Sequence, residues 1–522
     1  MDQGPFAAAE GPFAARSCWL AERAARAAGG QAQCLAAPTT EAQIVSSPGT
    51  LFSIALLFIA ASPALGQTNG ADVGGEIDRI FSNYNASTPG VAVAVVKDGN
   101  IVFKKGYGTA NLELDVPITT TTVFQIGSVS KQFTAFAIYL LEKQGKVSLE
   151  DDVRKYIPEL PAYGKTVRLK HLLAHTSGVK DQSAVMSLAG WKSADATTTE
   201  QVIRMLCRQR ELNFEPGSQY LYSNSGYTLL AEIVRRTSGQ SFAAYTKKNI
   251  FEPLGMNDTQ FYDDFEKLVR NRADSYELVS GTYKKMPLTN SVDGPSNLYT
   301  TVEDMAKWVL NFERPVVGDA ELIRRFNEPS LLDNGERVVY AVSDGNPGYH
   351  AKGQILWNER GVKRYSHGGH AAAFRSFLGR FPEQRLGVIA LSNDEHYLNA
   401  DTSMKVAEMY LKDLQPAPVP NAAPAAKSPT VAPNVSLRDF EGRFYNAELD
   451  TAYRAKVASG KLLLSHIRYG DIALIDAGKD KFSGTIEFPV QIEFVRSSNG
   501  IVTGFRISNW GAKNVKFEKA AN

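Results

Sequence analysis

Apolar residues recur every three or four positions in the stretch that follows Lys131. They are Phe133, Phe136, Ala137, Leu140 and Leu141. This spacing places them on one face of an α-helix, so it predicts an amphipathic helix over residues 131–143 that ends at Gly145.

Two short apolar runs upstream of this helix flank a turn sequence. The runs cover residues 91–96 and 101–105, and the segment from Lys97 to Asn100 between them contains Asp98-Gly99. Asp-Gly is a common pair in tight hairpin turns, so the pattern predicts a β-hairpin.

Strand-like runs return late in the same region, at residues 362–366 and 377–391. Between them and the hairpin the chain has helical patterns over residues 227–237, followed by Gly239, and over 242–251, before Pro253. The order predicts a sheet assembled from both ends of the region, with a mostly helical middle.

The C-terminal part begins with a proline- and alanine-rich segment, residues 414–434, which is typical of an extended linker. Residues 435–522 then alternate apolar and polar positions, as in Val490, Ile492 and Phe494, with an Asn499-Gly500 turn. We therefore expect one large domain over residues 67–413, a linker over residues 414–434, and a small all-β barrel over residues 435–522.

Residues 51–66 form a short apolar stretch that ends in small residues and resembles a secretory signal, with cleavage before Gln67. It is too short to span a bilayer comfortably, so the mature chain is expected to have no transmembrane anchor and to be periplasmic or secreted. Because Ala- and Gly-rich residues precede it, we hypothesise that translation begins close to Val45. Residues 1–66 are thus predicted to be an extension plus signal peptide.

The composition is that of a large globular protein. Of 522 residues, 43% are hydrophobic, and the formal net charge is +2 with no basic run, which argues against nucleic-acid binding. Cys18 and Cys34 fall in the N-terminal extension, which leaves Cys207 as a single cysteine, expected to pack in the core.

Candidate chemistry appears where the strand-like segment before Ser128 changes into the predicted helix. Lys131 is three residues after Ser128, and residues at this spacing face each other on a helix. A buried lysine can be neutral near neutral pH and accept a proton from a serine hydroxyl, which predicts that Ser128 is a nucleophile. The helix start would add N–H donors for an oxyanion.

A second Ser-x-x-Lys match, Ser177 to Lys180, contains Gly178 and is not followed by an apolar helical period. It is interpreted as a loop, so Ser128 remains the candidate.

Two further motifs follow in order: Tyr222-Ser223-Asn224 and His367-Gly368-Gly369. With Ser128-x-x-Lys131, they resemble the motifs of the serine β-lactamase and penicillin-recognising superfamily, specifically its class C-like branch, over about residues 91–414. The branch includes penicillin-binding carboxypeptidases, D-aminopeptidases and esterases. The resemblance implies an α/β fold, in which an antiparallel sheet flanked by helices carries a mostly helical lobe, and a C-terminal lipocalin-like domain.

The resemblance also implies roles for the motif residues. Ser128 would form the acyl-enzyme, Lys131 would activate it, and Tyr222 would move the proton, with the choice of general base between Lys131 and Tyr222 left open. Asn224 would hold Lys131 and a substrate carbonyl. Gly369 belongs to the third motif, and the backbone N–H groups of Ser128 and His370 would form the oxyanion hole.

His367 stands where β-lactamases carry a lysine, and a histidine that titrates near neutrality is a weaker anchor for a substrate carboxylate. This favours an esterase, D-aminopeptidase or carboxypeptidase acting on an ester, peptide or amide, which includes a cell-wall peptide. The alternative is a β-lactamase or a slowly deacylating penicillin-binding or sensory protein.

His171 and His175 have the i, i+4 spacing of some metal sites but lack an acidic partner at motif spacing, so structural roles are expected. No cofactor and no metal are predicted, and the oligomeric state stays open.

Overall fold

The computed structural model describes residues 70–343, 345–411, 414 and 436–520. The predicted N-terminal extension with its signal, and the predicted linker apart from Leu414, lie outside these residues. Among the described residues, no helix combines the length and apolar character needed to cross a bilayer.

The α-helices, in chain order, are α1 (Gly70–Ile80), α2 (Lys131–Lys143), α3 (Leu169–Leu173), α4 (Gln182–Leu188), α5 (Thr199–Arg208), α6 (Asn224–Ser238), α7 (Phe242–Thr246), α8 (Val302–Glu313), α9 (Ala320–Asn327) and α10 (Asn399–Glu408). Short 3₁₀ turns cover Gly127–Ser130, Val153–Lys155 and Leu437–Phe440, and a π-helical turn covers Lys247–Phe251.

The strands before the C-terminal part are β1 (Val91–Lys97), β2 (Asn100–Tyr107), β3 (Thr109–Asn111), β4 (Val116–Pro117), β5 (Phe124–Gln125), β6 (Thr197–Thr198), β7 (Gln260–Phe261), β8 (Tyr276–Val279), β9 (Thr282–Lys285), β10 (Asn290–Ser291), β11 (Leu298–Thr300), β12 (Val339–Ser343), β13 (Asn346–His350), β14 (Ile355–Glu359), β15 (Val362–Ala371), β16 (Phe374–Phe381) and β17 (Leu386–Ser392).

The main sheet is antiparallel, with strand order β12-β13-β14-β15-β16-β17-β1-β2. Strands β1 and β2 form the predicted hairpin, because Asp98 and Gly99 in their turn both adopt left-handed backbone conformations that match the twist of the strands. Strand β1 also pairs with β17, which confirms that one sheet contains both the early hairpin and the late strands.

Both faces of this sheet are covered, which explains why β1 is apolar at almost every position. Val91, Val93 and Val95 face the cluster that includes α1 and α10. Ala92 and Ala94 face the larger cluster on the opposite side, which includes α2 and α8. At its centre Trp308 is fully buried and lies 4.4 Å from the Phe133 ring, measured between centroids.

The helical middle follows the predicted pattern with two differences. Helix α6 begins at Asn224 rather than at Tyr227, because a carboxylate from another segment holds the Asn224 N–H. The predicted helix over 242–251 is α-helical only to Thr246 and then widens into the π-helical turn.

The C-terminal strands form a nearly closed barrel, as predicted. They are β18 (Gly442–Asn446), β19 (Thr451–Ala458), β20 (Lys461–His466), β21 (Gly470–Ala473), β22 (Ile475–Gly478), β23 (Lys481–Thr485), β24 (Pro489–Arg496), β25 (Val502–Ser508) and β26 (Val515–Lys519). Their order is β21-β20-β19-β18-β26-β25-β24-β23-β22.

The barrel core also includes residues from α4, which belongs to the part of the chain before the linker. Ala184, Val185 and Leu188 are fully buried in the same hydrophobic cluster as Phe444 and Phe505 of the barrel. Helix α4 therefore packs into the barrel, and the two parts share a core at this point.

Candidate active site

Ser128 lies at a sharp change of direction between β5 and α2. Gly127 has a φ of 51°, and its N–H donates to the Gln125 side chain at 2.6 Å, so the chain turns before the 3₁₀ turn that precedes α2. The Ser130 hydroxyl donates to the Gly127 carbonyl at 2.6 Å and closes this turn. The Ser128 side chain is thus half-buried, just before the first residue of a buried helix.

Lys131 is fully buried, with its amine in contact with Ser128 as the spacing predicts. Its Nζ lies 3.0 Å from Ser128 Oγ, 2.9 Å from Asn224 Oδ1 and 2.7 Å from the Pro295 carbonyl oxygen. The amine therefore has one hydroxyl neighbour and two oxygens that can only accept hydrogen bonds.

Tyr222 and Asn224 come from the segment that enters α6. The Tyr222 hydroxyl lies 2.7 Å from Ser128 Oγ, and Lys131 Nζ lies 4.9 Å from the centre of its ring. The structure thus brings together the four residues that the sequence places in the first two motifs.

Burial separates the protonation states of the two candidate bases. It lowers the pKa of Lys131 to about 7, although the Asp181 carboxylate opposes this shift. Burial raises the pKa of Tyr222 well above its ordinary value. Loss of hydration on burial therefore keeps Tyr222 as a neutral phenol near neutral pH.

The third motif approaches the serine through its glycines. A Cβ at Gly127 would overlap the His370 backbone nitrogen, and one at Gly369 would overlap the Ile126 carbonyl oxygen. Two glycines therefore allow β15 to lie directly against the turn that carries Ser128. The close approach leaves the His370 backbone nitrogen beside the turn, and the oxyanion hole formed by the Ser128 and His370 N–H groups stays a prediction.

His367 is buried, and it differs from the sequence-based expectation. Its Nδ1 lies 2.6 Å from the Gly368 carbonyl oxygen, and burial lowers the pKa of its imidazole to about 4. It is therefore neutral near neutral pH, so the expectation that it titrates there is wrong. Within the described residues no hydrogen bond joins it to Tyr222, and its Nε2 has no partner.

The second Ser-x-x-Lys match is a loop, as predicted. Lys180 donates to the Glu211 carbonyl oxygen, and the Ser177 hydroxyl accepts the Val179 N–H at 3.3 Å. The Ser177 hydroxyl and the Lys180 amine thus bond to backbone groups of other residues.

His171 and His175 do not share a ligand site. His171 Nε2 lies 3.2 Å from Asp333 Oδ1, whereas His175 Nδ1 lies 3.1 Å from the Ser223 backbone nitrogen and its ring lies against Tyr222. Cys207 is half-buried on α5 against the main core. The described residues contain no group of three or more His, Cys, Asp or Glu side chains arranged to hold a metal ion.

Sequence reasoning missed several residues that hold the site. Asp181 accepts two hydrogen bonds from Asn224, and its position directly before a short helix was an available capping signal. His175 fixes the backbone between Tyr222 and Asn224, and its φ of 58° is uncommon for a non-glycine residue. The Pro295 carbonyl had no sequence signal.

Ser128, Tyr222 and Asn224 line one cavity of about 550 Å³. Its apolar wall includes Met186, Trp191 and Leu288, and the barrel contributes Glu487 and Phe488. The barrel thus forms part of the wall of the candidate active site.

Comparisons with known proteins identify the family of this chain. A family model described as Beta-lactamase matches residues 77–409. A Bacillus subtilis (strain 168) protein named Penicillin-binding protein 4* is 31% identical over 348 residues, which cover 63% of this chain and 73% of that protein. Protein flp of Staphylococcus aureus (strain N315) is 28% identical over 346 residues, 64% of this chain and 65% of the relative.

Solved structures show the same fold. The octameric penicillin-binding protein homologue from Pyrococcus abyssi aligns with a TM-score of 0.58 at 24% identity, covering 86% of this chain and 99% of the other. A penicillin-binding protein from Bacillus halodurans gives a TM-score of 0.55 at 24% identity, covering 64% and 99%. Because this family model matches well over half of its length, the chain belongs to the Beta-lactamase family of serine hydrolases.

Proposed function

We propose that this protein forms an acyl-enzyme on Ser128 and hydrolyses an ester, peptide or amide, as an esterase, D-aminopeptidase or carboxypeptidase does. The observation that carries the proposal is the set of contacts around the Lys131 amine. In its neutral form the amine has two N–H groups, which the Asn224 and Pro295 oxygens accept. Its lone pair is then left for the Ser128 hydroxyl, at 3.0 Å.

Acylation would begin when the Ser128 hydroxyl transfers its proton to Lys131 and Oγ attacks the substrate carbonyl. The negative charge that develops on the carbonyl oxygen would be stabilised by the Ser128 and His370 N–H groups. Lys131 is the resting base in this proposal, because a pKa near 7 leaves about half of it neutral at neutral pH.

Tyr222 would act on the leaving group. Its raised pKa keeps the phenol protonated, and its hydroxyl lies 2.7 Å from Ser128 Oγ, beside the bond that breaks. The phenol would give its proton to the leaving oxygen or nitrogen and recover one from Lys131. Water would then hydrolyse the acyl-enzyme by the reverse route.

The uncharged His367 in the third motif favours substrates whose binding does not require recognition of a carboxylate. His367 carries no charge near neutral pH, and the buried Lys131 amine is already engaged with Ser128 and Asn224. The cations that line the cavity, Lys192 and Lys285, lie outside the three motifs. Esters and neutral amides therefore fit this arrangement better than β-lactams or the free carboxyl terminus of a carboxypeptidase substrate.

A second candidate is a penicillin-binding protein that is acylated but releases the acyl group slowly. The observation that favours it is the name and 31% identity of the Bacillus subtilis relative. Labelled penicillin separates the two: stable labelling of Ser128 without turnover of other substrates would support the second candidate.

The main test uses a chromogenic short-chain ester, a D-amino-acid anilide and a chromogenic cephalosporin. We expect turnover of the ester or the anilide by the unchanged protein and loss of about 10⁶-fold with Ser128→Ala. Ser177→Ala is the matched control, since it removes the other Ser-x-x-Lys serine and should retain activity. Equal turnover by the unchanged protein and by Ser128→Ala would contradict the proposal.

We also propose that the mature protein is periplasmic or secreted and begins near Gln67. N-terminal sequencing of the exported protein tests this, and a mature chain that begins upstream of Leu51 would contradict the proposed translation start.

A further inference from the structure

Asp181 is a fully buried carboxylate with no ion pair among the described residues. Its Oδ1 accepts the Ser183 and Ala184 N–H groups at 2.8 and 3.1 Å. Its Oδ2 accepts the Asn224 backbone N–H at 2.6 Å and the Asn224 side-chain amide at 3.0 Å. All four contacts are donors, so neither oxygen has an acceptor for a carboxylic proton, and the group is held as an anion.

Asn224 connects this anion to the catalytic amine. Its Nδ2 donates to Asp181 Oδ2, and its Oδ1 accepts from Lys131 Nζ at 2.9 Å. A carboxylate at the donor end of an amide polarises it and makes the carbonyl oxygen a stronger acceptor. The three side chains therefore form one hydrogen-bonded chain that ends at the base.

The other titratable groups near Lys131 are uncharged near neutral pH. Burial lowers the pKa values of His175, His350 and His367 and raises those of Tyr222 and Tyr227. Asp181 is thus the charged group in this set, and it is the one whose charge favours the ammonium form of Lys131.

The barrel fixes the position of this carboxylate. The Asp181 N–H donates to the Gly511 carbonyl oxygen at 2.9 Å, and the Asn509 side chain donates to the Ala184 carbonyl oxygen at 2.9 Å. A Cβ at Gly511 would lie 2.6 Å from Asp181 Cβ, so only a glycine allows this approach.

We propose that Asp181 is a positioning residue that sets the orientation and basicity of Lys131 through Asn224, and that the C-terminal barrel holds it in place. The inference rests on the proposed function of Ser128 and extends it to a segment outside the three motifs. It gives the barrel a part in the chemistry of Ser128, beyond forming a wall of its cavity.

The test measures the rate at which a fluorophosphonate labels Ser128 as a function of pH, by mass spectrometry of the intact protein. The serine oxygen bonds to phosphorus, fluoride leaves, and the serine proton passes to Lys131. The unchanged protein should show a rate that rises with pH through a midpoint near 7. Absence of labelling in the unchanged protein would contradict the proposed function and, with it, this inference, whereas a labelled protein with an unshifted midpoint in the variants would contradict the inference alone.

Asp181→Asn removes the charge and should move the midpoint down by about one pH unit or more, because the Lys131 ammonium loses the nearby negative charge that favours it. The exchange Asp181→Asn with Asn224→Asp restores the side-chain donor and acceptor between the two positions, leaves the backbone N–H of residue 224 facing an amide nitrogen, and brings the carboxylate into contact with Lys131. It should move the midpoint above that of the unchanged protein. A purely structural role of Asp181 predicts slower labelling with an unchanged midpoint in Asp181→Asn, and that result would overturn the proposal.

Gly511→Ala tests the part played by the barrel, with Gly500→Ala as its control because no atom lies within 4 Å of a Cβ there. We expect Gly511→Ala to shift the midpoint in the same direction as Asp181→Asn and Gly500→Ala to leave it unchanged. An unchanged midpoint in Gly511→Ala, beside a shifted one in Asp181→Asn, would refute the role of the barrel.

Discussion

Substituting Tyr222 with phenylalanine separates proton donation to the leaving group from activation of the nucleophile. The change keeps the buried ring against His175 and removes only a hydroxyl, whose described hydrogen bond is to Ser128 Oγ at 2.7 Å. Because burial keeps this phenol protonated, its loss should matter most where the leaving group needs a proton.

The expected size of the effect depends on the substrate. A nitrophenyl ester releases a stable anion, so it should lose only the hydrogen bond to Ser128, worth about 1.4 kcal/mol or roughly tenfold in kcat/KM. An anilide releases an amine that must be protonated, and general acid catalysis contributes about 10²- to 10⁴-fold. The anilide should therefore be impaired at least about ten times more than the ester.

The assay compares kcat/KM for both substrates across pH in the unchanged protein, in Tyr222→Phe and in Tyr220→Phe. The Tyr220 hydroxyl has no hydrogen-bond partner among the described residues, so Tyr220→Phe is the matched control and should behave as the unchanged protein. The midpoint near 7 should persist in Tyr222→Phe because it belongs to Lys131. Equal loss on both substrates, or disappearance of the midpoint, would refute the division of roles.

Three further results are expected. Gly127→Ala should abolish measurable turnover because the added methyl overlaps the His370 backbone nitrogen. Gly145→Ala is the control, since Gly145 also has a positive φ but no atom lies within 4 Å of a Cβ there, and it should stay active. Similar loss of turnover in both variants would point to backbone strain alone. Phe488→Ala should change KM with little effect on the melting temperature because its side chain lines the cavity, and identical KM values across acyl groups would contradict a role in substrate contact. Trp308→Ala should lower the free energy of unfolding in urea by about 3–5 kcal/mol, against a smaller loss for the 37% exposed Trp510; equal losses would be inconsistent with the described core.

Local patterns were sufficient to predict much of this molecule. The spacing of Phe133 and Phe136 predicted α2, and Asp98-Gly99 predicted the hairpin, because each depends on neighbours a few residues away. The contact between Ser128 and Lys131 followed from a single turn of helix. The barrel followed from alternating residues such as Val490 and Ile492.

Features that depend on the tertiary environment were not predictable in this way. The protonation states of Tyr222 and His367 are set by burial, which no residue type reveals. Asp181 meets Asn224 across a separation of 43 residues, and it meets the Gly511 carbonyl from a different part of the fold. Such contacts leave little trace in one sequence, because each partner alone is compatible with an ordinary loop.

The burial of one side of α4 in the barrel has an evolutionary consequence. Val185 and Leu188 fill space among the barrel side chains, while Asp181, at the start of the same helix, supports the catalytic amine. A substitution that reshapes the barrel interior would therefore rotate or shift a helix whose first turn serves catalysis. The sequences of α4 and of the barrel interior are therefore expected to covary. Replacing the barrel with that of a relative would require replacing α4 as well.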